Sequence, residues 1–155
     1  MRRVALLLVL ILAWVPKVLA DNVLIIQGNI REVSGMAFSL EDIKAMEQHS
    51  FVTKHPWTEV GRRYQGPLLA DVLDVAQAKG KMLRMVALND YEVEVDFSDI
   101  KKFQPILAWQ QDGKTLSIRE KGPLWLMFPV DDYPEVKNKR YNDYMIWQLR
   151  VIEVK

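Results

Sequence analysis

Residues 86–97, VALNDYEVEVDF, read as two strands with Asn89 and Asp90 alone between them. In the second strand Tyr91, Val93, Val95 and Phe97 alternate with Glu92, Glu94 and Asp96, so one face is apolar and the other wet. A half-buried antiparallel pair follows, and it sets the fold class. Asn and Asp both tolerate a left-handed backbone and hydrogen-bond their own chain, which suits a two-residue hairpin turn. A tight turn is also a rigid mount for a carboxylate. Asp90 therefore has two readings: a turn former, or a ligand group at a sheet end.

Outward from this pair, the chain predicts short elements. Val23 to Ile30 reads as a strand cut short at Gly28 and Asn29. Ser39 opens a capping box with Asp42 before Leu40, Ile43 and Met46 at helical spacing. After a short strand at residues 50–53, the stretch KHPWTEVGRRYQ (54–65) has neither period and reads as a loop of the length that often carries function. Leu69, Val72, Leu73 and Ala76 share a helical face between Pro67 and Gly80. Ser98 and Asp99 suit the cap of a short helix ending at Phe103. Asp112-Gly113 sits in a hairpin setting, PLWLMFPV (123–130) is an apolar strand, and residues 131–143 read as a polar loop. In the final strand Met145, Trp147, Leu149 and Val151 are expected on one side. The class is α+β, with mostly short antiparallel strands and two main helices.

Residues 1–20, MRRVALLLVLILAWVPKVLA, have a charged start, an apolar run and a small-residue ending at Ala20, the three parts of a cleaved secretory signal. The run from Val4 to Val15 is shorter than the roughly 20 residues that a membrane span needs. Residues 21–155 are then expected as one exported, periplasmic domain without a membrane span, carrying 18 basic and 20 acidic side chains. That balance leaves no basic stripe for nucleic acid. Cysteine is absent and His49 and His55 are the only histidines, which excludes thiolate chemistry and argues against a metal site.

No nucleophile elbow, phosphate loop or histidine pair gives a catalytic signature. Asp71 and Asp74, and the Glu92, Glu94, Asp96 series, read as solvated faces. Trp57 with Glu59, Arg62 and Arg63 could serve a planar polar ligand, the ring stacking and the guanidinium groups donating. The alternative, which composition alone favours, is that Trp57 plugs the loop onto the core. Arg119 and Lys121 beside Gly122-Pro123 either face a cleft or form a charged sheet edge, and the residues do not choose between these.

Taken together, PWTEVGRRYQGPLLADVL, ALNDYEVEVDFSDI, DGKTLSIREKGPLWLMFPVDD and YMIWQLRVIEV resemble, in order and spacing, the molybdopterin-binding oxidoreductase domain with its sulfite-oxidase-like fold. Catalytic members of that family hold molybdenum through a cysteine, in the region before the Gly-x-Leu-Leu helix. No cysteine exists here, so molybdenum lacks its soft anionic ligand. The segments PWTE, ALNDY, KGPLW and IWQL look more like the PruR-type periplasmic pterin-binding proteins.

That resemblance implies a non-enzymatic binder of a free, reduced pterin. It would touch the periplasmic part of an inner-membrane cyclic-di-GMP enzyme or a related receptor. Pterin presents an N–H and an amino group side by side, a pair that a carboxylate accepts bidentately. The resemblance assigns that pair to Asp90, the stacking to Trp57, a second wall to Tyr91 and a ring nitrogen to Asn89. Arg119 and Lys121, with Arg62 as a lesser partner, would meet the carbonyl side, while Trp147 and Pro123 read as core and shape. The alternative is a molybdopterin oxidoreductase, or a subunit of one, with a ligand other than cysteine. Loops around Trp57 and at residues 131–143 are the expected moving parts.

Overall fold

The structure, a computed structural model, describes residues 21–155; the expected export signal lies outside them. Strand β1 (Asn22–Gly28) turns back into β2 (Met36–Ser39), and Ser39 then caps α1 (Leu40–Ala45) through the expected box. Ser39 Oγ accepts the Asp42 N–H at 3.1 Å, and Asp42 accepts the Ser39 N–H at 2.7 Å. The dozen residues expected as a loop are instead most of a long hairpin, β3 (His49–His55) and β4 (Thr58–Gly66), turning on Pro56 and Trp57. Strand β4 is mostly wet on both faces from Glu59 to Arg63, and the inward positions of β3 are largely polar (His49, Thr53 and His55 beside Phe51), so no hydrophobic alternation marked them. Asp131 ties this hairpin down, accepting from the Lys54 N–H while its own N–H donates to the buried Thr53 hydroxyl.

Helix α2 (Leu69–Val75) follows without a side-chain cap; its Leu69 N–H donates to the Pro105 carbonyl instead. Next comes the opening pair, β5 (Met82–Ala87) and β6 (Glu92–Asp96), in register from Met82–Asp96 to Val86–Glu92. Its connection is Leu88, Asn89, Asp90 and Tyr91, four residues rather than two. Ala87 N–H donates to the Tyr91 carbonyl, Asp90 N–H to the Ala87 carbonyl, and Asp90 is left-handed at φ 64°. Helix α3 (Phe97–Phe103) starts one residue before the expected caps. Asp99 therefore lies inside it and accepts from Tyr141 Oη at 3.1 Å.

Strands β7 (Ile106–Ala108), β8 (Gln110–Gln111) and β9 (Lys114–Thr115) lead to β10 (Trp125–Met127). Asp112 and Gly113, both at positive φ, make the expected hairpin turn. The supposed polar loop holds a short helix, α4 (Lys139–Tyr144), capped by Asn138. Strand β11 (Leu149–Val154) ends the described chain.

The larger sheet runs β2-β1-β11-β5-β6, with β1 and β11 parallel and the other pairs antiparallel. A bulge between Leu149 and Val151 resets the alternation, so Leu149, Ile152 and Val154 point inward rather than the expected Leu149 and Val151. A second sheet, β3-β4-β8-β9, stands against the pair β7-β10. Between the layers lie Leu69, Leu73, Ile100, Phe103, Trp125 and Phe128, all fully buried. Where β4 crosses β7, Gly66 lets the backbones approach so closely that a Cβ would stand 1.9 Å from the Leu107 carbonyl oxygen. Gly66→Ala is expected to lower stability by about 1–3 kcal/mol, the usual scale of overpacking. A fall in the urea midpoint with unchanged slope checks it.

Candidate functional site

The β3–β4 turn carries the site. Pro56 fixes one backbone angle of a two-residue connection, so Trp57 is held at the tip of a paired hairpin. Beneath it His55 is buried, its Nδ1 accepting the Trp57 N–H at 3.3 Å and its Nε2 2.6 Å from Tyr64 Oη. The imidazole packs among Trp57, Tyr64 and Trp125, with ring centroids 5.1–5.7 Å away. Trp147 meets Trp57 nearly at right angles, 5.3 Å between centroids.

Into this cluster reaches Lys121. It follows a short 3₁₀ turn, Ile118–Glu120, and takes a left-handed backbone at φ 72°. Its carbonyl accepts the Gln148 N–H at 3.0 Å, and the Gln148 amide donates to the Ile118 carbonyl at 2.8 Å. The ammonium lies 4.4 Å from the Trp147 ring, 4.9 Å from Trp125 and 5.0 Å from Trp57. Three indole faces thus hold one cation. Loss of water lowers the Lys121 pKa. The same burial, and then the Lys121 charge, hold His55 down to about 4. Tyr64 is raised above the usual phenol range, first by burial and then by Asp112.

Two clefts adjoin at Trp57. The larger, 520 Å³, is lined by His55, Tyr64, Arg62, Lys114, Arg119 and Lys121, with Asp112 and Glu120 also on its wall. The smaller, 220 Å³, is lined by Trp57, Trp147, Tyr91, Asn89, Asn142 and Asp143. The structure therefore gathers Trp57, Arg62, Arg119 and Lys121 around one space, and Trp57, Asn89 and Tyr91 around the other. Trp57 is 41 % exposed, at the boundary. Asp90, the leading sequence candidate, lines neither cleft: its left-handed backbone turns the hairpin, and its side chain is exposed. Arg62 is already engaged by Asp112 at 3.1 Å.

Sequence reasoning passed over His55, Tyr64, Trp125, Asn142 and Asp143, and it placed Trp147 in the core where the structure makes it a cleft wall. An indole next to a strand end, as in Trp125 and Trp147, was the available signal. What it lacked was the antiparallel backbone bridge between Trp125 and Trp147.

No family model matches this chain, and no curated protein matches it. Among solved structures, the sulfane dehydrogenase SoxCD from Paracoccus pantotrophus superimposes at a TM-score of 0.65 and 16 % identity, over 84 % of this chain and 37 % of that one. This likeness carries the fold: the chain has the α+β, sulfite-oxidase-like architecture expected from its sequence. A cysteine-held molybdenum does not fit the clefts, whose donors are nitrogen and oxygen in a chain with no cysteine. Among the described residues no group of three or more histidine, aspartate or glutamate side chains converges as a metal site would.

His55 ties the hairpin to acidity. Its folded pKa lies below the usual 6.5, so the unfolded chain takes up more protons between about 6.5 and 4. The His55 contribution to stability is therefore complete above 6.5 and lost as pH falls through that window. Urea midpoints at pH 7 and 4.5 should show this loss in the wild type and a smaller one in His55→Gln.

Proposed function

We propose that this protein is an exported, non-enzymatic pterin binder of the PruR type, acting in the periplasm on an inner-membrane cyclic-di-GMP enzyme or related receptor. The observation that supports it best is Trp57: a partly exposed indole on a rigid turn, bordered by two clefts, with a cation held over its face. That arrangement suits a flat heterocycle carrying both donors and acceptors. In this reading the ring enters the smaller cleft, against Trp57 and Trp147, with Tyr91 as a further wall. Lys121, which lines the adjoining larger cleft with its ammonium over the Trp57 and Trp147 rings, supplies a donor for its carbonyl side.

The pterin donor pair needs a carboxylate, and Asp143 is the one on that wall. It now accepts from Lys139 Nζ at 2.6 Å, a bond between exposed groups that a ligand can share or replace. Asn89 is the other acceptor at hand, its Oδ1 already taking the Tyr91 N–H at 3.3 Å. Asp90 keeps the turn. Among the described residues no helix is long and apolar enough to cross a membrane. The cysteine-free sequence favours binding over redox chemistry at this fold.

Mass spectrometry of small molecules released from the purified protein, with titration by tetrahydrobiopterin and oxidised biopterin, tests the reading. Saturable binding is expected, and its absence for both, with nothing released, would overturn it. Trp57→Ala should weaken binding by about 5- to 150-fold, the measured range for losing one stacked base being roughly 1–3 kcal/mol. Asp143→Asn should cost about tenfold or more, as loss of a charged hydrogen-bond acceptor does. Asp90→Gly should leave affinity within about twofold, because glycine keeps the left-handed turn. The name of the structural neighbour favours an enzyme instead. Stoichiometric molybdenum in protein from a molybdate-fed host would decide for that reading.

A further inference from the structure

The floor of the larger cleft has a chemistry of its own. A neutral imidazole carries one proton. His55 Nδ1 accepts the Trp57 N–H, so the proton is on Nε2 and is donated to Tyr64 Oη, 2.6 Å away. The hydrogen of the Tyr64 hydroxyl must then point elsewhere, and no acceptor for it stands among the described residues. Tyr64 is 1 % exposed and lines this cleft. A buried O–H without an acceptor costs stability unless something in the cleft receives it.

Around that donor, four basic side chains face two carboxylates. Both carboxylates are already engaged: Asp112 accepts from the Arg63 N–H and Arg62, and Glu120 from the Ser117 hydroxyl. Lys114, Arg119 and Lys121 have no carboxylate partner among the described residues. Burial raises the Tyr64 pKa, which keeps its phenol a donor.

We propose that the larger cleft is an oxyanion site, taking a phosphate or carboxylate group on the Tyr64 hydroxyl, Arg119 and Lys121. His55 is its positioning residue: by holding one tautomer it turns the Tyr64 hydrogen towards the anion. Lys121 is common to this site and to the pterin reading, whereas the Tyr64 hydroxyl and Arg119 line the larger cleft alone, and the site does not require a pterin in the smaller one.

The test uses the full chain without any pterin. Indole N–H signals are followed by NMR during titration with inorganic phosphate and, separately, malonate, at constant ionic strength. Saturable shifts of the Trp57 and Trp125 signals with either anion are expected, the preferred anion naming the source. No saturable shift with both overturns the site. Tyr64→Phe keeps the ring and should weaken the anion by about tenfold, as loss of a hydrogen bond to a charged group does. Unchanged affinity overturns the role of Tyr64. The ¹⁵N spectrum of the wild-type His55 ring at pH 7 should show the proton on Nε2; a proton on Nδ1 overturns the positioning role even if anions bind.

Discussion

Everything at the site hangs from one strand placement: residues 149–154 lie between residues 22–28 on one side and 82–87 on the other. The neighbouring Gln148 carries that placement into the clefts. Its N–H holds the Lys121 carbonyl, its own carbonyl accepts the Leu88 N–H beside the turn of the opening hairpin, and its amide fixes the 3₁₀ turn before Lys121. Trp147, one residue earlier, bridges to Trp125. The sheet centre, the aromatic cage and the wall of the smaller cleft are thus successive residues of one segment. Because the strand pairs are far apart in sequence, the site exists only once the long-range topology is in place.

The cage itself is an uncommon solution to burying a lysine. A partly desolvated ammonium usually finds a carboxylate. Lys121 instead finds three indole faces, which attract the charge without neutralising it. Its positive field persists at the junction of the clefts and bears on His55 as well. A carboxylate partner would have cancelled the field that the two clefts share.

What was legible in the sequence was local. The alternation after Asn89-Asp90, the Ser39–Asp42 box and the Asp112-Gly113 turn each depend on residues within a few positions of one another, and each is present. The β3–β4 hairpin was legible only at residues 50–53, because the inward side of β3 is largely polar and β4 is mostly wet on both faces from Glu59 to Arg63, which leaves no hydrophobic period to read. The phase of β11 was lost to a bulge, which periodicity cannot anticipate. At the site, Trp57 and the cations could be named as types suited to a planar ligand. Their grouping could not, since Trp57, Lys121, Trp125 and Trp147 meet only when three segments far apart in sequence are paired and packed. Asp90 is apt for both turn and ligand: its left-handed backbone makes the turn, and its side chain lines neither cleft.

Trp57 has one consequence that concerns the two clefts jointly. A single indole walls both spaces, so a shift of that side chain changes the shape of both. Molecules occupying both sides would then be thermodynamically linked. Whatever factor the first applies to the affinity of the second, the second must apply to the first.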